Sequence, residues 1–287
     1  MEPVELQSAP SLSALYVRAV TTALLPGGGD QLPDRELLLR GVELRREHVA
    51  DYARVCGFTV RDTVPGTFPH ILAFPLQMKL MTERSFPFSV LGLVHIANRI
   101  EVLAPIPVGA SLDYSLRTEN LRPHRSGRQF DMVVEARLDE RPAWRGRSTY
   151  LHRGDGDRNE QERKDSGLDQ GSELTATAVW QVPGDIGRRY AGVSGDRNPI
   201  HMHPLSARAF GFPTAIAHGM WSKARCLASF DGRLPPAYAI EVEFGSPLRV
   251  PAKARFLSGE RDSGFAFRLE TMDGRHRHLL GSISPAT

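Results

Sequence analysis

The sequence contains one structural pattern twice, and this repeat limits the folds that are open to the chain. A helical segment at Arg45–Gly57, RREHVADYARVCG, has a counterpart at Pro183–Gly195, PGDIGRRYAGVSG. In both segments apolar residues recur three and four positions apart, an acidic residue stands near the start, and glycine ends the pattern. A second helical pattern and a series of strand-like runs follow each segment. We therefore expect an α+β fold built from two packed copies of one unit.

The strand-like runs extend from Gly92 to Arg153 in the first copy and from Ala237 to Ser284 in the second. Apolar and polar residues alternate along them, and turn residues separate them, which is typical of an antiparallel meander. Even one turn is repeated, as APIPVGA in the first copy and SPLRVPA in the second.

A charged segment at Arg153–Ser172 separates the copies. Ten of its twenty residues are charged and Leu168 is its one apolar side chain, so it cannot bury enough surface to fold. The sequence therefore predicts a first domain over residues 1–152, a linker over 153–172, and a second domain over 173–287. The total length of 287 residues suits two ordinary domains.

Composition excludes several classes of protein. A formal charge of +3, without basic runs interleaved with aromatics, argues against nucleic-acid binding. The two cysteines provide no disulfide framework and suit a reducing, cytoplasmic location. The apolar run Leu12–Pro26 contains Arg18 and is shorter than the roughly 18 apolar residues of a membrane span, so we expect an amphipathic helix there.

The second copy carries a candidate catalytic loop, SGDRNPIH, at Ser194–His201. Gly195 at a helix end permits a left-handed turn, and Asp196 and Asn198 can bond the backbone of that turn. The loop is therefore suited to hold Asp196 and His201 at a fixed separation. A carboxylate and an imidazole directed at one water form a general acid/base pair near neutral pH.

A second candidate element is AHGMW, in which Gly219 opens a helical pattern. A helix N-terminus offers unpaired N–H groups, and a glycine lets a substrate carbonyl approach the backbone closely. We expect the Gly219 N–H to stabilise a developing oxyanion. His218 is either a supporting residue of this site or a packed histidine at the helix start.

The string from Tyr190 to His201, together with AHGM, resembles the signature of the MaoC-like, (R)-specific enoyl-CoA hydratase family. The resemblance implies a double hotdog, in which each copy has a long central helix wrapped by an antiparallel sheet and the two sheets join into one. It also implies that Asp196 and His201 are the catalytic pair and that Gly219 is the oxyanion donor. Asn198, Ser194 and His218 are the further candidates for orienting or binding the substrate.

The implied reaction is the reversible hydration of trans-2-enoyl-CoA to (3R)-3-hydroxyacyl-CoA in fatty-acid metabolism. The substrate would be an acyl-CoA or acyl-carrier-protein thioester, with CoA as a carrier and neither a metal nor a redox cofactor. We expect a monomer that contains its own pseudo-dimer, or a homodimer.

The first copy lacks these chemical groups. Aligning YARVCG with YAGVSG places Phe58, Val60 and Thr63 at the positions of Asp196, Asn198 and His201. Farther along, AFPLQMK aligns with AHGMWSK, so that Pro75, which has no N–H, takes the position of Gly219. We therefore expect a degenerate first domain that accommodates the acyl chain instead of catalysing.

Two other functions remain open. A hotdog acyl-CoA thioesterase would share the fold, and a non-catalytic acyl-CoA-binding or scaffold subunit would need no acid/base pair. The pairs His201/His203 and His276/His278 lack a third metal ligand nearby, so no metal site is expected. The basic stretches Arg122–Arg128 and Lys223/Arg225 are interpreted as solvated faces, one of which could meet CoA phosphates.

Overall fold

We describe the chain from a computed structural model. The structure describes residues 2–23, 29–154, 156, 168, 173–261 and 263–286. Apart from Arg153, Gly154, Gly156 and Leu168, the predicted linker lies outside the described residues.

Helices and strands alternate irregularly in the first half. In chain order they are β1 (Glu2–Leu6), α1 (Leu12–Ala23), β2 (Arg35–Glu43), α2 (Arg46–Cys56), α3 (Phe68–Met81), β3 (Leu93–Val102), β4 (Ser111–His124), β5 (Gly127–Leu138) and β6 (Arg141–Arg153). A single 3-10 turn, Val90–Gly92, precedes β3.

The second half repeats the order from β2 to β6 with two additional short helices. Its elements are β7 (Thr175–Val182), α4 (Ile186–Ser194), α5 (Pro199–Met202), α6 (Pro204–Ala209), α7 (Gly219–Ala228), β8 (Tyr238–Phe244), β9 (Ala252–Arg261), β10 (Gly264–Thr271) and β11 (Arg277–Pro285). The extra helix α5 includes the last three residues of the candidate loop Ser194–His201, and α6 lies between that loop and α7.

The strands form one eleven-stranded sheet in the order β1-β2-β4-β5-β6-β3-β8-β11-β10-β9-β7. Its neighbouring strands within each meander pair antiparallel, as β4–β5–β6 do in the first half and β9–β10–β11 in the second. The predicted α+β class and continuous sheet are thereby confirmed.

The chain divides into two compact units that do not coincide with its two consecutive halves. The first unit holds β1, α1, β2, most of α3, the start of β3, and β4 to β6. The second unit holds the segments Arg45–Phe68 and Ile100–Val108 and all elements from β7 onward. Helix α2, although it belongs to the first sequence copy, is therefore part of the unit that carries the candidate catalytic loop.

The packing of α2 explains this division. Tyr52 of α2 is fully buried, and its ring lies 6.2 Å from the ring of Tyr190 on α4. These are the two tyrosines that the sequence repeat makes equivalent, so α2 and α4 pack through corresponding positions. A fully buried aromatic side chain contributes a large apolar area to the core.

In the second unit α7 is the central helix. Eight of its ten residues are buried. Just after the helix, Phe230 contacts the rings of Phe256, Phe265 and Phe267 on β9 and β10, at centroid distances between 4.8 and 6.1 Å. This aromatic cluster anchors the end of α7 to the sheet.

The structure agrees with the predicted helix ends and adds three strands. Gly57 and Gly195 both adopt left-handed conformations after α2 and α4, as the glycine signals predict. The sequence did not predict β1, or β2 and β7, which open the two copies. Among the helices of the described residues, none combines the length and apolar character needed to cross a bilayer.

Candidate active site

The candidate catalytic loop, Ser194–His201, begins where α4 ends. Gly195 has φ 76°, a left-handed conformation that ends the helix and turns the chain toward Asp196. The Asn198 N–H donates to Asp196 Oδ1 at 3.1 Å, and the Ile200 N–H donates to Asn198 Oδ1 at 3.3 Å. Two successive side-chain-to-backbone bonds therefore fix the loop, and the second caps α5.

Ser194 and Asn198 have structural roles in this loop. The buried Ser194 hydroxyl accepts a hydrogen bond from the Asp196 N–H at 3.2 Å. Asn198 caps α5 with its carbonyl oxygen. Both side chains therefore shape the backbone around Asp196, and a direct role for either in binding substrate stays a prediction.

Gly187 lets α4 approach α5 closely, and sequence reasoning missed it. A Cβ at Gly187 would lie 2.1 Å from the carbonyl oxygen of His201, which is backbone and cannot move aside alone. The contact with the His201 backbone shows that residue 187 must be glycine for His201 to lie where it does. Its helical spacing from Tyr190 and Ala191 was visible in the sequence, but the close contact was not.

Gly187→Ala is therefore expected to destabilise the fold by about 1–3 kcal/mol, the typical cost of overpacking, and to lower activity. The control is Gly192→Ala in the same helix, where no described atom outside its immediate surroundings lies within 4 Å of the added Cβ. That change should stabilise α4 by up to about 1 kcal/mol, as for glycine to alanine in a helix. Urea denaturation of both variants measures the difference, and equal midpoints would contradict the packing argument.

His201 has a defined tautomer. Its Nδ1 lies 2.8 Å from the Ile216 carbonyl oxygen, and since a carbonyl only accepts, Nδ1 carries the proton. In the neutral ring Nε2 therefore holds a lone pair. Burial lowers the pKa of His201 below its ordinary value, and the charge of Asp196 and the bond to Ile216 oppose this only in part. His201 is thus a neutral base at physiological pH.

His218 supports Asp196 and His201 without sharing their protons. Its Nε2 donates to the Asp196 carbonyl oxygen at 2.9 Å, and its ring stacks on His201 with centroids 3.6 Å apart. Burial and then the neighbouring His201 lower the pKa of His218 to about 3. The 3.7 Å approach of Nε2 to Asp196 Oδ2 is therefore not an ion pair. His218 is a neutral residue that holds the loop in place.

One side-chain ligand atom from each of Asp196, His201 and His218 lies within 4.8 Å of the others. A water that makes hydrogen bonds of about 2.8 Å can contact two groups at this separation. Metal coordination suits the geometry poorly, because the two imidazole rings are stacked only 25° from parallel. Their lone pairs lie in the ring planes and do not converge on one ion.

Gly219 is the first residue of α7, as the sequence predicts. Its N–H is therefore among those that a helix leaves without an intrahelical acceptor, at the positive end of the helix dipole. A Cβ at this position would lie 3.0 Å from the Phe244 ring. At Gly219, therefore, an N–H suited to binding an oxyanion lies beside the ring of Phe244.

The first copy differs from the site at each corresponding position. Phe58 stacks on Tyr52 with ring centroids 6.4 Å apart, and Thr63 forms an isolated bridge with Pro107. Pro75 lies inside α3 and not at its start, because α3 begins at Phe68, whereas α7 begins at Gly219. The position of Pro75 therefore lacks both an N–H and a helix N-terminus.

Other candidate residues from the sequence are not part of this cluster. His203 Nδ1 accepts from the Leu205 N–H at 3.1 Å and caps α6, and His278 Nδ1 donates to the Ser246 carbonyl oxygen at 2.9 Å. Lys223 is not on a solvated face: it is fully buried and donates to the Ile240 carbonyl oxygen. Lys223 is therefore excluded as a contact for CoA phosphates.

Comparison with known proteins places this fold and site in a family. Residues 162–269 match the MaoC like domain. A 3-hydroxyacyl-thioester dehydratase X from Mycobacterium tuberculosis is 36% identical over 254 residues, which cover 88% of this chain and 90% of the relative.

Solved structures show the same similarity in three dimensions. The crystal structure of HtdX from M. tuberculosis aligns with a TM-score of 0.77 at 34% identity, over 88% of this chain and 100% of that one. A conserved hypothetical protein from M. tuberculosis, described as a double hotdog, aligns with a TM-score of 0.56 at 12% identity, over 91% of this chain and 96% of that one. The second likeness shows the fold alone.

The chain has a double hotdog fold, and its similarity to a 3-hydroxyacyl-thioester dehydratase assigns it to the hydro-lyase class. The chain belongs to the MaoC-like dehydratase family. The family and fold predicted from the loop motif and the repeat are thereby confirmed.

Proposed function

We propose that the protein interconverts trans-2-enoyl and (3R)-3-hydroxyacyl thioesters by adding or removing water, with Asp196, His201 and Gly219 as its catalytic groups. The observation that carries the proposal is the His201 tautomer, in which Nδ1 is protonated and the lone pair is on Nε2, in a ring that clusters with Asp196. The similarity to a 3-hydroxyacyl-thioester dehydratase supports the reaction class. We propose CoA as the carrier, with an acyl-carrier-protein thioester as the alternative.

In the hydration direction, one water is held between the Asp196 carboxylate and His201 Nε2. His201 takes a proton from this water while the water oxygen bonds to C3 of the enoyl thioester. The resulting imidazolium is stabilised by the negative charge of Asp196, which raises the pKa of His201 against the effect of burial. Asp196 therefore stabilises the imidazolium and positions the water, and His201 accepts the proton of that water.

As the C3–O bond forms, the electron pair of the double bond moves toward the thioester oxygen. The Gly219 N–H donates to that oxygen and stabilises the enolate, a contribution of about 3–4 kcal/mol for a positioned donor. The imidazolium then returns its proton to C2 on the face where water was added. Protons balance within the cycle, and dehydration is the same path reversed.

The sequence-based role of the first domain, to accommodate a long or bulky acyl chain, remains a prediction. The replacements at Phe58, Thr63 and Pro75 support the absence of catalysis there. A profile of hydration rate against acyl chain length tests it, and a strict preference for four-carbon chains would count against it.

The proposed reaction is tested by incubating the purified protein with enoyl and saturated acyl thioesters, each on CoA and on an acyl carrier protein. We expect the absorbance of the conjugated enoyl thioester to fall and no free thiol to appear from the saturated one. Release of thiol would identify a thioesterase. An unchanged enoyl absorbance with every carrier would favour a non-catalytic binding subunit.

The pH dependence follows from the neutral His201. Since burial lowers the pKa of His201, the hydration rate should fall to half its maximum at a pH below the ordinary histidine value of about 6.5. The rate declines there because the ring becomes protonated and loses its lone pair. A profile of kcat/KM against pH measures this, because it reports groups of the free enzyme. A half-maximal rate at or above pH 6.5 would contradict the assignment.

A further inference from the structure

Two equivalent backbone carbonyls of the sequence repeat each accept a side-chain hydrogen bond. Val55 in YARVCG and Val193 in YAGVSG occupy the same place in the two copies. His48 Nε2 lies 2.6 Å from the Val193 carbonyl oxygen, and Trp221 Nε1 donates to the Val55 carbonyl oxygen at 3.1 Å. In both cases the donor comes from the other copy. All four residues belong to the second compact unit.

The first bond supports the end of α4. Val193 is in the last turn of this helix, where carbonyl groups have no intrahelical donor, and it stands three residues before Asp196. Since the carbonyl only accepts, His48 Nε2 carries the proton. The half-buried His48 ring packs edge-on against Phe68 at 5.1 Å. His48 therefore holds the helix end from which the catalytic loop departs.

The second bond supports the start of α7. Trp221 is two residues after Gly219 and is buried, and Val55 is in the last turn of α2. The indole N–H thus connects α2 to the helix turn that carries the proposed oxyanion donor. Helix α2 contacts both α4 and α7, and these helices supply the two parts of the proposed site.

We infer that His48 and Trp221 are positioning residues, through which α2 sets the distance between the Asp196–His201 pair and the Gly219 N–H. The helix of the copy without catalytic residues thereby has a function in the reaction. The expected effect on the hydration rate rests on the proposed function, but the expected effect on how well the loop Ser194–His201 is ordered does not.

A displacement of reacting groups by about 1 Å can lower a rate by a factor of about 100. His48→Ala should therefore lower kcat for hydration about 10- to 100-fold and change KM less than about twofold, because substrate contacts remain. His48→Gln keeps an N–H near the position of Nε2 and should recover most of the rate. Trp221→Phe keeps an aromatic ring but removes the donor, and should lower kcat in the same way. Glu47→Ala, at an exposed neighbour on α2, is the control.

Hydrogen–deuterium exchange without substrate gives a readout that does not depend on activity. In His48→Ala the backbone amides of residues 195–203 should exchange faster than in the wild type, and in Glu47→Ala they should not. If no thioester is hydrated by the wild type, the proposed function fails, while the exchange data still test whether His48 holds the end of α4. Unchanged exchange in His48→Ala, or a kcat unchanged in both His48→Ala and Trp221→Phe, would overturn the inference.

Discussion

Asp196→Asn and His201→Asn are each expected to lower kcat for hydration of an enoyl thioester by a factor of about 10²–10⁴, the usual contribution of acid/base catalysis. Asn at 196 keeps an oxygen for the Asn198 N–H but loses the negative charge that stabilises the imidazolium. Asn at 201 keeps a donor near the position of Nδ1 for the Ile216 carbonyl and loses the lone pair of Nε2. Steady-state hydration kinetics, with circular dichroism as a check on folding, measure both effects.

The two effects should not add in the double variant, because the groups act on one water as a unit. His203→Asn is the matched control, since it changes an exposed histidine in the same segment while keeping an acceptor for the Leu205 N–H. It should retain wild-type kcat. A rate within about threefold of the wild type in either Asp196→Asn or His201→Asn would remove that residue from the catalytic pair.

Gly219→Pro should lower kcat about 10²–10³-fold, as does removal of one oxyanion donor elsewhere. Proline is favoured at the first position of a helix, and His218, with φ −65° and ψ 138°, already has the extended backbone that precedes proline. The substitution therefore removes the N–H with little disturbance of α7. Hydration kinetics with saturating substrate measure the loss.

Gly219→Ala separates the missing donor from the added side chain. Both variants place a Cβ about 3 Å from the Phe244 ring, but alanine retains the N–H. The ratio of their kcat values therefore reports the hydrogen bond to the thioester oxygen. Equal losses in the two variants would show that the contact with Phe244, and not the donor, explains the effect.

The repeat and the loop motif together predicted much of the architecture. Equivalent glycines at 57 and 195 marked the ends of α2 and α4, and alternating apolar residues marked the meanders of both copies. These signals are local, because turn conformation and side-chain alternation depend on neighbouring residues. The loop motif is likewise a local pattern of neighbouring residues, and it predicted the family.

Long-range features could not be predicted in this way. The sequence assigned α2 to the first half, but burial of Tyr52 against Tyr190 makes it part of the second unit. The requirement for Gly187 depends on the His201 carbonyl of another helix. The protonation of His201 and His218 depends on which carbonyl each ring meets, and no sequence pattern specifies that.

There is therefore a physical reason why the first copy retains part of the repeated pattern although it lacks the candidate catalytic groups. YARVCG retains the tyrosine that packs on Tyr190 and the carbonyl that accepts from Trp221. The positions aligned with Asp196, His201 and Gly219 hold no acid, base or N–H donor. The first copy thus keeps the residues that pack on Tyr190 and accept the Trp221 hydrogen bond.

The most direct test of the proposed reaction is to hydrate a trans-2-enoyl thioester in deuterium oxide and determine the configuration of the product at C2 and C3. Because one ring accepts the proton of water and returns it on the same face, we predict a (3R)-3-hydroxyacyl thioester with deuterium and hydroxyl added to the same side. Asp196→Asn and His201→Asn should form it only at their reduced rates. A (3S) or racemic product, addition to opposite faces, or no product would contradict the account.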